Sequence, residues 1–142
     1  MDTAVRTDGR SRLVDRETLI LGVGDVGLLA GLVLVGQRSH GVNPLEQPIA
    51  SLEAIAPFVI GWLVVAVLAG VYTHTVVSSV TRVVRLTTVT WIAAANVGLL
   101  LRQSVFGDTA VWPFPLVMTG FGLLLIVGWR VGYTAVLYRT SQ

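Results

Sequence analysis

Cysteine and lysine are both absent from the 142 residues, so all ten basic residues are arginine. The first absence excludes disulfides, thiolate metal sites and cysteine nucleophiles. The second excludes a Schiff-base lysine and the lysine of a phosphate-binding loop. Charge is scarce as well. Only 13% of the residues are charged, whereas a soluble domain carries about 25%. That leaves too little polar surface to cover a water-soluble globule.

What replaces charge is apolar sequence: 54% of the chain is hydrophobic and the mean hydropathy is +0.76. The composition points to a membrane protein. The pI of 9.7 would suggest nucleic acid in a soluble chain. Here the formal excess is only +2, the arginines lie mainly at the edges of apolar runs, and no basic face interleaved with aromatics appears. No nucleic-acid partner is implied.

Four apolar runs organise the chain: "LILGVGDVGLLAGLVLVGQ" (19–37), "AIAPFVIGWLVVAVLAGVYT" (54–73), "LTTVTWIAAANVGLLL" (86–101, or starting one turn earlier) and "PFPLVMTGFGLLLIVGWRVG" (113–132, or running on to Tyr138). A spanning helix needs about 20 mainly apolar residues. None of the runs alternates as a strand does, and backbone in lipid must satisfy its own hydrogen bonds, so all four are expected to be helices. The predicted fold is an all-α, four-helix transmembrane bundle with helices near 19–37, 54–73, 85–103 and 113–132. Residues 1–17 are expected to form a mobile, charged tail, 18–138 one membrane domain, and 139–142 a short C-terminal tail. The first run is longer than a signal-peptide core of about 7–15 residues, and no A-x-A site follows it. Pro57 is expected in the first turn of the second helix, and Pro113 and Pro115 in the first turn of the fourth, where a missing N–H matters little. Pro44 and Pro48 mark the first loop.

Eight arginines (6, 10, 12, 16, 82, 85, 130 and 139) lie on the side of the N-terminal tail, the second loop and the C-terminal end; only Arg38 and Arg102 lie on the other. The positive-inside rule therefore predicts a cell-membrane, multi-pass protein with both termini cytoplasmic. Trp112 and Trp129 then fall near opposite interfaces.

Gly22-Val23-Gly24-Asp25-Val26-Gly27 has the G-x-G-x-x-G spacing of a dinucleotide-binding turn. Such a turn must follow a strand and open a helix. Here the apolar run continues on both sides. Gly24, Gly27 and Gly31 instead recur along one helical stripe, and Gly128 and Gly132 repeat the device on the fourth run. Small residues at this spacing let helix backbones approach in lipid. Close packing inside the bundle is the ordinary expectation; a homo-oligomer through glycine-lined faces is the alternative.

Asp25 is the most informative residue. It lies roughly 9 Å into the first span at 1.5 Å per residue, where an acid costs up to about 2.5–3.5 kcal/mol. It therefore faces protein or water. It is either a packing residue paired with Arg130 or a protonatable carrier. Arg38, His40 and Arg102 form a second candidate set at the opposite end, with Glu53 on the same side. They act either as snorkelling side chains with a local carboxylate or as an anion or headgroup site. Asn96 reads as an interhelical hydrogen-bonding residue. Trp62, Trp91 and Trp129 read as packing residues, with Trp62 kept as a secondary candidate beside Asn96 and Glu53. His40 and His74 fall at opposite ends of adjacent helices and cannot easily share a haem iron. No zinc, di-iron or nucleophile motif is present. No cofactor is implied, and nothing points to an enzyme.

The segments "GDVGLLAGLVLVGQRSHG", "APFVIGWLVVAVLAGVY", "LLLRQ" and "LLLIVGWR" together resemble a family of small four-span prokaryotic integral membrane proteins, frequent in haloarchaea and actinobacteria and catalogued as a domain of unknown function. The resemblance covers residues 19–130. It implies the four-span fold and turns attention to Asp25, Arg38, His40, Arg102 and Arg130 as a polar site; it implies no activity. The expected function is small-solute or ion transport or ligand binding within the bundle. The alternative is a structural or accessory subunit of a larger membrane complex.

Overall fold

The computed structural model describes residues 3–72, 79–109 and 111–142, with residues 3–15 described by their backbone alone. His74 lies outside the described residues, so the haem comparison between the two histidines has no structural counterpart. The described residues contain four long helices and no strand: α1 (Thr3–Ser39), α2 (Pro48–Ala69), α3 (Val80–Ser104) and α4 (Phe114–Thr140). Each contains a stretch long and apolar enough to cross a bilayer. Their outward surfaces are apolar too, with Val23, Val64, Leu68, Val89, Leu100 and Leu124 all exposed. A soluble bundle would turn such residues inward; a bundle solvated by lipid does not need to.

Helix ends differ from the hydropathy boundaries. α1 runs back to Thr3, so the backbone of the charged N-terminal segment is helical. α2 begins at Pro48, not Ala54, with that proline in its first turn. Pro48 therefore starts a helix and does not mark a loop. Pro57 lies well inside α2 and is buried, and Glu53 is an exposed residue of the same helix and does not precede it. Without an N–H, Pro57 leaves one carbonyl of the preceding turn without its helical donor. Pro115 sits in the first turn of α4, as expected, while Pro113 is the cap residue just before that helix.

The helices form a ring. α1 packs on α2 and α4, and α3 packs on the same two, so α1 and α3 are diagonal. The contacts run in opposite directions along each neighbouring pair, which makes the bundle up-and-down. On the α2–α3 seam, a Cβ on Gly98 would lie 2.7 Å from Phe58, and one on Gly61 would lie 2.7 Å from the Ala94 carbonyl. These close approaches require glycine. Trp62 and Trp91 pack at a tilt across the same seam, with ring centroids 6.2 Å apart and ring planes 49° from parallel. On the α3–α4 seam, Trp91 donates Nε1–H to the Thr119 carbonyl at 2.8 Å and lies over Gly122, where a Cβ would sit 2.1 Å from the indole. The α2–α3 seam is the most extensive, and the two seams of α1 are the thinnest.

The glycines expected to pack inside the bundle divide. Gly24 is in tight contact with Trp129, but added Cβ atoms on Gly27, Gly31, Gly128 and Gly132 would meet nothing within 4 Å. The small-xxx-small spacing thus does not mark an internal seam. The glycines that do are those facing an aromatic ring or a backbone.

Candidate functional site: a buried ion pair joining the first and last helices

Asp25 and Arg130 are 0% and 2% exposed, and they meet. The guanidinium grips the carboxylate side-on. Arg130 Nη2 donates to Asp25 Oδ2 at 2.5 Å, and Nε donates to Oδ1 at 3.2 Å. Pairing with Arg130 was one of the two readings left open for the acid in the first span, and the two side chains are in contact. Two parallel charge-assisted bonds fix both groups in orientation as well as distance.

Their neighbours satisfy what remains. Tyr72 donates its hydroxyl to Asp25 Oδ2 at 2.7 Å, and Trp62 donates Nε1–H to the Tyr72 oxygen at 3.0 Å. Arg130 Nη1 reaches the Val71 carbonyl at 3.4 Å. The guanidinium carbon lies 4.9 Å from the Tyr72 ring centre and 5.5 Å from that of Trp62, within cation–π range. Burial first, and then the Asp25 carboxylate, push the Tyr72 phenol above its usual range, so it remains a donor.

Local chain geometry delivers these groups. Gly24-Asp25 on α1 faces Trp129-Arg130 on α4. The missing side chain at Gly24 admits the Trp129 indole, and the adjacent pair then closes. Gly70 ends α2 in the left-handed conformation, at φ +71°. The Val71 N–H then returns to the Ala66 carbonyl, a helix stop that glycine favours. This turn places the Val71 carbonyl and Tyr72 against the ion pair. Trp62 belongs to the network through Tyr72, and its contact with Trp91 extends the network to α3.

Sequence reasoning missed Tyr72, Val71 and Gly70. The available signal was a glycine closing an apolar run, "LAGVY", with a hydrogen-bonding residue two positions on.

The second candidate set is arranged differently. Arg102 binds Asp108 in the α3–α4 loop at 2.5 Å and stacks over Phe114, with its guanidinium carbon 4.5 Å from the ring centre. Arg38 and His40 are exposed at the end of α1, and no contact joins them to Arg102 among the described residues. The carboxylate partner is Asp108, while Glu53 is exposed on α2. Asn96 corrects its expectation: it faces outward and donates to the Ile92 carbonyl of its own helix at 2.7 Å, with no bond to a neighbouring helix among the described residues.

A surface groove of about 550 Å³ follows the α1–α2 seam, lined by residues including Leu19, Val23, Leu63 and Tyr72; neither Asp25 nor Arg130 lines it. No group of three or more metal-ligating side chains occurs among the described residues. Chemically, the centre of the bundle is a neutral assembly of one acid, one base and their hydrogen-bond partners.

No curated protein and no solved structure shows significant similarity to the chain. The model of one family, described as a protein of unknown function (DUF3054), matches residues 22–133. That stretch contains every member of the ion-pair network, and the chain belongs to this family.

Proposed function

We propose that the protein is a structural membrane module, an assembling or accessory subunit, and that its buried ion pair closes the bundle without carrying solute through it. The observation that carries this reading is the full engagement of Asp25. Both of its oxygens accept hydrogen bonds, three donors converge on them, and the side chain has no exposed surface. A carrier acid must exchange its proton or ion with a water-filled path; the partners of this one are Arg130 and Tyr72.

In this reading both termini are cytoplasmic. The arginine distribution supports that orientation, and it puts the Asp25–Arg130 pair in the cytoplasmic half of the membrane.

The test is flux in proteoliposomes under an imposed pH gradient. The full-length protein should pass protons no faster than protein-free vesicles, and D25N should change nothing. The double variant D25N/R130Q removes both charges and serves as the folded control. Proton or solute flux in the parent protein that disappears in a folded D25N chain would establish the carrier role for Asp25 and overturn the structural one.

A further inference from the structure

We infer that the outward face of α3 is a dimer interface and that its partner is a second copy of this chain. The argument begins with Asn96. It sits in the apolar part of α3 with its side chain on the exposed surface, among Val89, Ile92 and Leu100, which are also exposed. One amide N–H returns to the Ile92 carbonyl. The second N–H and the Oδ1 have no partner among the described residues, and hydrocarbon offers none.

Gln103 is a second amide on this helix, one residue before its end. It is exposed and lies seven residues beyond Asn96, as Val89 lies seven residues before it. Residues seven apart fall on one line of a helix that packs along a partner helix, with Ile92 and Leu100 filling the intervening positions. Both outward amides of this apolar stretch therefore lie on a single seam.

The chemistry of that seam selects its partner. A carboxamide carries a donor and an acceptor, so its complement is another carboxamide. Two copies inserted in the same orientation are related by a two-fold axis along the membrane normal, and each residue near that axis meets its own counterpart. Asn96 then faces Asn96 of the partner subunit, and the Gln103 pair follows at the next heptad. The open glycines on α1 and α4 carry no polar group that needs completing. The inference deepens the reading of the protein as an assembling module and rests on it.

Absence of cysteine makes the parent chain a ready background for cross-linking. V89C keeps Asn96 in place; L124C on α4 and V23C on α1 are exposed controls on other faces. On mild oxidation in proteoliposomes, V89C should form a disulfide-linked dimer and the controls should not. Adding N96L should weaken dimerisation about tenfold, in line with a lost interhelical amide contact, and N96Q should restore it. Near-UV circular dichroism confirms that each chain is folded.

Three outcomes overturn the proposal: V89C dimers no more abundant than those of L124C or V23C, an N96L chain that dimerises as tightly as its parent, or V89C cross-linked in native membranes only to a different protein. A dimer that also passes protons refutes the proposed function and leaves the interface standing. A monomer without flux does the reverse.

Discussion

Replacing Asp25 with leucine should be among the most damaging single changes in the molecule. It removes both bonds that hold the Arg130 guanidinium and takes the acceptor from Tyr72. Arg130 stays 2% exposed, with the Val71 carbonyl at 3.4 Å and two ring faces for company. Breaking a buried pair from one side costs about 3–5 kcal/mol. R130M should cost less, because an orphaned carboxyl can take up a proton and keep its bond to Tyr72, whereas a guanidinium does not give one up. The double variant D25L/R130M replaces both charges with apolar groups of similar bulk and should lie within about 2 kcal/mol of the parent. The assay is unfolding of all four chains in mixed micelles, followed by near-UV circular dichroism of the buried tryptophans. The cycle should return a coupling of about 3 kcal/mol or more. If the double variant is as unstable as the two single losses added together, the residues act independently and the clasp does not exist.

Glycine positions give a paired test. G122A drives a methyl group into the Trp91 indole, which is held by Thr119 on one side and Trp62 on the other, and should lower stability by about 1–3 kcal/mol. G128A meets open space and should be neutral or stabilising by up to about 1 kcal/mol from helix propensity; equal effects at the two sites in micelle unfolding would refute the packing argument. At the surface, D108N removes the carboxylate from a partly exposed pair and should change stability by at most about 1 kcal/mol, less as salt is raised. R102A should exceed it, because Arg102 also covers the Phe114 ring.

The four spans and the buried acid were legible because lipid imposes simple demands on composition and length. Helix ends were less so. Hydropathy reports where the bilayer lies, and the helices of Thr3–Ser39 and Pro48–Ala69 continue into polar sequence that keeps helical geometry without being apolar. Faces were harder still. A helix that is apolar on every side gives no amphipathic cue to its interior, so Asn96 was expected against a neighbouring helix when it faces outward. Tyr72 was hidden for another reason: its place in the site depends on the turn at Gly70 and on an arginine far along the chain, and neither leaves a local periodicity.

The same physics explains why glycine spacing misled. Lipid tails are as apolar as leucine, so burying leucine against leucine gives helices little reason to associate; close van der Waals contact does. This bundle obtains it by fitting large groups into missing side chains: Trp129 over Gly24, Trp91 over Gly122, Phe58 against Gly98, and the α3 backbone against Gly61. The decisive feature is the partner opposite each glycine, which a repeat within one helix cannot reveal. Three of these four contacts join α2, α3 and α4, while α1 has only the one at Gly24. Beyond that contact and a few buried apolar residues such as Leu29 and Val33, α1 is held by Asp25. An ion pair withdrawn from water contributes little net stability compared with apolar residues of the same shape, yet it tolerates only one rotation and one depth of the helix that carries it. Its consequence here is therefore positional: it sets the register of α1 against α4, so D25L/R130M should keep its stability while α1 samples more than one register.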